Sequence, residues 1–275
     1  KLLPYQRRKE DLPTPHKPYK IRNVNFLTED NVTRFDNDFS RFDSLRYKGL
    51  NIYYKDHVYL RPDVLSDFNY IEPQTLYSEQ AVQNTYASMG RLRALKYTNV
   101  RFEEVMHNDS AQLDAHVLMT KSKDKSLAFE VEGTNSAGDW GAAASMTFQH
   151  KNLFKGSETF TFKVRGAFEA ITGLEDGYET DDYKEYGIES SLNFPSFMFP
   201  FLSSDFKKKI RATSEVGIKF NSQLRPEFTR TLASASWSYR WTDKTRSQHR
   251  FDLLDINYIY VPWKSELFKA YLENL

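Results

Sequence analysis

The run Phe160-Thr161-Phe162-Lys163-Val164-Arg165-Gly166-Ala167-Phe168-Glu169 alternates almost without a break. Phe160, Phe162, Val164, Gly166 and Phe168 share one face, while Thr161, Lys163, Arg165 and Glu169 share the other; this is the two-residue period of a β-strand. On either side the pattern returns. Leu127, Phe129 and Val131 alternate with Glu130 and Glu132, and Ala142, Ala144, Met146 and Phe148 with Ser145, Thr147 and Gln149. Further on, Tyr186, Ile188, Leu192 and Phe194 stand against Glu189 and Asn193. The next segment sets Ile210, Ala212, Val216, Ile218 and Phe220 against Arg211, Glu215 and Lys219. Ala233, Ala235, Trp237, Tyr239 and Trp241 then face away from Ser234, Ser236, Ser238 and Arg240. The last of these seven segments, near Phe251 to Val261, is less regular, because Leu253 and Asp255 fall opposite Leu254, Ile256, Tyr258 and Tyr260. No helical period is expected between Asp124 and the last dozen residues.

Several of these segments reach ten or more residues, whereas a strand of a soluble sandwich has about five or six. A tilted transmembrane strand needs roughly nine to eleven, apolar toward lipid and polar toward a watery lumen. Trp237, Tyr239, Trp241, Tyr258, Tyr260 and Trp263 crowd toward strand ends, as interfacial girdles require. A soluble barrel of the lipocalin kind shares the period but turns its apolar face inward. Length and mixed charge favour the membrane reading.

Composition agrees. The 275 residues hold 38 Lys+Arg and 37 Asp+Glu, 15% aromatics and no cysteine. Absence of cysteine excludes a disulfide scaffold and a thiolate zinc site, and near-neutral charge argues against a nucleic-acid binder. No apolar run approaches the roughly 20 residues of a spanning helix. A mean hydropathy of −0.66 beside so many aromatics fits strands that are apolar on alternate residues only. The start, KLLPYQRRKEDLP, has no secretory signal, so the chain is expected to be a piece of a longer precursor.

Residues 1–18, with Pro4, Pro13, Pro15 and Pro18, read as a linker. A compact α+β domain is expected over 19–123. Lys20 to Phe26 alternates as a strand. Phe35, Phe39 and Phe42 have the spacing of an amphipathic turn, but a loop packing its rings on its own domain is the plainer reading. Leu50, Ile52 and Tyr54 are expected to turn at Lys55-Asp56 and return through Val58 and Leu60. Pro62 opens a short helix to Phe68. Ser78 caps a second helix, with Glu79 in its first turn, Val82, Tyr86 and Met89 buried, and Gly90 near its end. Strands Tyr97–Glu103 and Leu113–Met119 complete a β-α-α-β-β order. Residues 124–275 form the second unit, an antiparallel, incomplete transmembrane β-barrel of about seven strands.

Tyr77-Ser78-Glu79-Gln80-Ala81-Val82, followed by Leu95-Lys96-Tyr97-Thr98-Asn99-Val100-Arg101-Phe102, resembles the second helix and second strand of a POTRA module. Glu130-Val131-Glu132-Gly133-Thr134-Asn135-Ser136-Ala137-Gly138-Asp139, continuing through Phe148-Gln149-His150-Lys151-Asn152-Leu153-Phe154-Lys155-Gly156, resembles the first barrel hairpin of the BamA/TamA family, especially the TamA-like type of Bacteroidetes. Phe194-Pro195-Ser196-Phe197 and Phe199-Pro200-Phe201 are similar to a later turn of that group. The resemblance implies a periplasmic POTRA domain and an outer-membrane barrel that inserts, assembles or translocates other proteins without chemical catalysis. Its implied partners are outer-membrane lipid, client outer-membrane proteins or lipoproteins, and periplasmic accessory proteins at the POTRA domain, with no nucleic acid. A pore or transporter with a periplasmic docking domain is the alternative. The family barrel has about sixteen strands, so this chain alone is expected to form an open sheet with free edges. Val164-Arg165-Gly166-Ala167-Phe168 looks like the family's loop motif, but its alternation assigns it to a strand.

In the family, the first barrel strand helps form a seam at which a client strand pairs with an exposed edge, by β-augmentation. Here that strand is Ser126, Leu127, Ala128, Phe129, Glu130, Val131, Glu132, Gly133 and Thr134, with ordinary lipid or lumen facing as the plainer role of each residue. No catalytic, metal or cofactor residues are expected. The six histidines are scattered, and no phosphate loop or nucleophile elbow occurs. The acidic run Glu175, Asp176, Glu179, Asp181, Asp182 and Glu185 lacks EF-hand spacing and reads as a solvated loop. Lys207-Lys208-Lys209 reads as a solvated strand start, with lipid headgroups as its other candidate partner.

Overall fold

The computed structural model describes residues 18–29, 38–107, 110–136, 139–172, 182–199, 201, 203–243 and 247–273. Its N-terminal elements are β1 (Lys20–Glu29), β2 (Asp43–Tyr47), β3 (Leu50–Tyr54), α1 (Pro62–Phe68), α2 (Glu79–Met89), β4 (Leu95–His107) and β5 (Ser110–Lys121). They build a five-stranded sheet in the order β2-β3-β1-β5-β4. β1 runs parallel to both β3 and β5, and it is buried on both faces because it lies in the middle. Ile21, Val24 and Phe26 meet Leu65, Phe68, Val82 and Met89 of the helices. On the opposite face Leu27 and Leu118 are covered by Phe39, Phe42 and Tyr53. Phe39 and Phe42 thus pack on their own domain; Phe35 lies outside the described residues. The Ser78 hydroxyl accepts from the Ala81 N–H at 3.3 Å and caps α2, as its sequence requires.

Two sequence expectations fail here. β3 does not turn at Lys55-Asp56. It pairs with β2 in register Tyr47↔Leu50 across Lys48-Gly49, whose φ values of 48° and 80° suit a tight two-residue hairpin turn. Val58 and Leu60 belong to no strand, and Leu60 is core. The hairpin expected between the first strand and the helices is therefore present but lies earlier in the chain, with Leu50–Tyr54 as its second strand and not its first.

A second sheet follows: β6 (Lys125–Ser136), β7 (Asp139–His150), β8 (Thr159–Ala170), β9 (Asp182–Phe194), β10 (Thr213–Leu224), β11 (Phe228–Thr242) and β12 (Gln248–Lys264), with α3 (Ser204–Ile210) before β10 and α4 (Glu266–Glu273) last. These seven strands are antiparallel and lie in sequence order, β12 to β6. The fifth alternating segment is shorter than its sequence indicated. Ile210 ends α3 and Arg211 closes the helix at φ 54°, so the strand begins at Thr213. Ser203 caps this helix and Lys207, Lys208 and Lys209 fill its last turn, where cations complement the dipole; seven residues are too few for a helical period to stand out.

Register accounts for the irregular last segment. Trp237 pairs with Leu254 but Ser238 with Asp252, so Leu253 is the extra residue of a bulge. A second register shift, between Thr229 and Thr231, accommodates Pro262.

The two faces separate along the central cross-strand rows. Phe129, Met146, Val164, Ile188, Phe220, Ala233 and Tyr258 are successive partners across all seven strands. The neighbouring row on the other face is Ala128, Thr147, Lys163, Glu189, Lys219, Ser234 and Asn257. Within β7, Ala142 and Ala144 on the apolar face are exposed, while Ala143 and Ser145 on the charged face are buried. Residue size is matched in that comparison, so the charged face is the covered one.

Two predictions follow from this packing. Burial alone would raise the Asp114 carboxyl, but the Arg22 guanidinium and the Asn23 N–H (3.2 Å) outweigh it and hold it below its ordinary value. Stability from a depressed carboxylate is present above the unfolded value and lost as pH falls through the folded one. Circular-dichroism melts of Asp114→Asn should therefore show a lower midpoint at neutral pH and a flatter fall into acid. At Gly141, an added Cβ would lie 2.8 Å from the Phe168 carbonyl oxygen and 2.6 Å from the Thr134 hydroxyl. Gly141→Ala should destabilise the sheet by about 1–3 kcal/mol, and adding Thr134→Ala should recover only part of it, because the backbone carbonyl stays.

Candidate functional site

Ser126 to Thr134 all lie on β6, the outermost strand of the second sheet, which pairs with β7 alone among the described residues. An edge strand leaves about half of its N–H and C=O groups without a ladder partner. On the apolar face Leu127, Phe129 and Val131 are exposed, Val131 by 83%. On the charged face Glu130 accepts from the Ser145 hydroxyl at 3.0 Å and lies 3.8 Å from the Lys163 ammonium of β8. Glu132 reaches Arg165 at 3.4 Å. Ser126 stands opposite Gln149, Ala128 opposite Thr147, and Thr134 opposite Gly141. A Cβ on Gly133 would meet nothing within 4 Å, so this glycine loosens the strand without a packing reason for its presence. The structure thus gathers the nine predicted residues on one free edge.

The charged face continues as a ladder of opposite charges. Lys219 lies 2.7 Å from Glu189, and Arg240 lies 3.1 Å from Glu215. Asp182 and Glu185, the described members of the acidic run, lie on β9, and the Asn221 amide donates to Glu185 at 2.7 Å. Glu175, Asp176, Glu179 and Asp181 lie outside the described residues.

Sequence reasoning missed how the α+β unit is fixed to one end of this sheet. The β7–β8 connection carries out most of that task. The Asn152 amide donates to the Tyr59 carbonyl at 3.0 Å, and its oxygen accepts from the Ser157 N–H at 3.0 Å. The Ser157 hydroxyl accepts from the Ala94 N–H at 2.9 Å, and the Arg61 N–H donates to the Lys155 carbonyl at 2.7 Å. Glu158, 3% exposed, accepts from the Phe154 and Gly156 N–H groups and lies 3.5 Å from Arg61. Lys155 and Ser157 both have positive φ, and a Cβ at Gly156 would collide with the Glu158 carboxylate. The only signal in the sequence was the Asn152-to-Gly156 stretch quoted for its resemblance.

The β9–β10 connection docks beside it. The Tyr70 hydroxyl donates to the Lys208 carbonyl at 2.9 Å, and Lys208 donates to the Asn69 carbonyl at 3.4 Å. The basic run is therefore partly engaged with the first unit, and is not a solvated strand start. Phe197 meets Tyr239 edge-on at 4.6 Å, and the Tyr239 hydroxyl donates to the Met198 carbonyl at 3.2 Å. Toward that end of the apolar face stand Trp237, Tyr239 and Phe251; toward the other stand Tyr186 and Tyr260 and, beyond them, Phe168 and Trp140. Among the described residues no helix is long and apolar enough to cross a membrane, which does not bear on crossing by strands.

No family model and no curated protein matches the sequence. Among solved structures the chain is similar to BamA from Haemophilus ducreyi lacking POTRA domains 1–3, at 9% identity and a TM-score of 0.39, over 90% of this chain and 49% of that one. It is also similar to CdiB from Acinetobacter baumannii, at 7% identity and a TM-score of 0.38, over 95% of this chain and 66% of that one. The chain spans about half the length of the first of these.

Proposed function

We propose that the second sheet is a wall of an outer-membrane β-barrel, with the Phe129-to-Tyr258 row toward lipid and the Lys163–Glu189–Lys219 row toward a watery interior. The observation that carries this reading is the inverted burial of β7, where the apolar-face alanines are exposed and Ala143 and Ser145 are buried. A soluble barrel would cover its apolar face instead. Aromatic rings at both ends of that face support it further.

The α+β unit is then a POTRA-like periplasmic domain of the kind found in TamA-like members of the BamA/TamA family. The connections at 151–158 and 195–212 touch it, so both lie on the periplasmic side, and by alternation the 243–247 connection does too. The whole acts without chemical catalysis, inserting or translocating client proteins, with the free edge of β6 from Ser126 to Thr134 as the template a client strand pairs with. Periplasmic accessory proteins would meet the α+β unit.

Face and topology are separately testable. A cation on the lipid face near mid-membrane costs roughly 2–4 kcal/mol. Val164→Arg should therefore lower the fraction of the chain that stays in liposomes through an alkaline wash far more than Lys163→Ala does; equal effects would count against a membrane barrel. For topology, a cysteine replacing Asp243 should be labelled by an impermeant thiol reagent only after the outer membrane is opened. Labelling on intact cells would reverse the orientation.

A further inference from the structure

Where the α+β unit meets the sheet, a crevice of about 780 Å³ opens at the rim of the charged face. Four arginines line it: Arg91 after α2, Arg211 after α3, Arg240 on β11 and Arg250 on β12; among the described residues no acidic one does. Arg91 donates to the Pro195 and Ala212 carbonyls at 2.8 and 3.4 Å and lies over the Phe68 ring. Arg211 donates to the Asn84 side-chain oxygen at 3.0 Å and lies 5.1 Å over the Tyr70 ring. Those partners hold the two guanidinium groups in place but carry no charge. Burial and the nearby Arg211 both push Arg91 below its ordinary value.

Arg240 and Arg250 do have carboxylates, Glu215 at 3.1 Å and Asp252 at 2.7 Å. They are also direct cross-strand partners, and like charges directly opposite each other destabilise an antiparallel pair. Elsewhere on this face the direct opposition is of unlike charges, as in Lys163↔Glu189 and Glu189↔Lys219. A third carboxylate, Asp243, lies 3.3 Å from the lining His249; with Glu215 taken by Arg240 and Asp252 by Arg250, Arg91 and Arg211 supply the cationic charge that an arriving anion would neutralise.

We propose that this crevice binds the carboxylates of an acidic, extended polypeptide segment as it passes between the α+β unit and the charged face. The inference rests on the polypeptide-handling reading above. A single oxyanion fits less well. The arginines come from four separate elements, and a space of this size is that of a pocket for a ligand larger than one phosphate. A row of side-chain carboxylates, each taken by the planar fork of one guanidinium, matches the spread.

The test is fluorescence anisotropy on the full chain in detergent micelles, with a fluorescein-labelled peptide of alternating Glu and Ser and its Gln-for-Glu counterpart. The Glu peptide should bind, weaken with added salt, and outbind the Gln peptide by at least about tenfold, which is about 1.4 kcal/mol. Arg211→Gln with Arg240→Gln should weaken it by at least about tenfold, Arg211→Lys by less, and Lys96→Gln, at an exposed position near the start of β4, should leave it unchanged. Circular dichroism confirms that each variant is folded. Equal affinity for the two peptides, or full affinity in the folded double variant, would overturn the proposal. So would tight binding of inorganic phosphate with no affinity for the Glu peptide. Peptide binding is read in micelles, independently of insertion: failed insertion with binding intact overturns the membrane reading alone, and the reverse overturns this inference alone.

Discussion

Strict two-residue alternation leaves the second sheet no intermediate state. Sliding any strand by one residue would carry its charges onto the apolar face and its aromatic rings onto the charged one. Rows such as Leu127, Phe148, Phe162, Ser190, Ile218, Ala235 and Ile256 are therefore fixed together, each strand's register set by its neighbours. Where the sequence breaks the period, the backbone absorbs the error locally. The bulge at Leu253 restores Leu254, Ile256 and Tyr258 to the apolar face. Turn chemistry, ion pairs and the docking of the first unit all presuppose this register.

The docking at the β7–β8 connection is held by polar groups and not by apolar area. Glu158 and Ser157 are almost fully buried, and a buried carboxylate is tolerable only when paired and hydrogen-bonded. Glu158 meets that condition through two backbone N–H groups and Arg61. Because Asn152 and Ser157 bond at once to each other and to Tyr59 and Ala94, the loop's own conformation and its grip on the α+β unit are one network. Such networks fix geometry more than they add stability.

Legibility in the sequence followed the length over which a pattern repeats. Strands of twelve or more residues announce themselves, so β6 to β9 and β11 were evident from alternation, as were α2 with its Ser78 cap and Pro62 at the start of α1. The failures are short or non-local. The seven residues of α3 carry two cap signals and no period. The β2–β3 hairpin turns on Lys48-Gly49, and Lys55-Asp56 offered a competing polar turn seven residues on. The predicted edge residues Ser126 to Thr134 do fall on one edge, since chain order and antiparallel pairing place the first strand there. The arginine crevice was illegible, because Arg91, Arg211, Arg240 and Arg250 are brought together only by tertiary docking.

The edge strand itself shows how exposure and order coexist. Glu130 accepts from the Ser145 hydroxyl of β7, its immediate neighbour, but the ion pairs of Glu130 and Glu132 reach across β7 to Lys163 and Arg165 on β8. Each such half-exposed pair contributes little, about 0.2–1 kcal/mol, but it ties the first strand to the third and bypasses the ladder. Inward-pointing charge also discourages indiscriminate pairing at a free edge, because any strand that displaced β6 would have to satisfy Lys163 and Arg165 in its turn. The alanines and Gly141 of β7 leave room for those long side chains to cross: Ala143 and Ser145 are the small residues beneath them. Small residues in the second strand and charges in the first and third are thus one device, which holds the charged side of β6 in register.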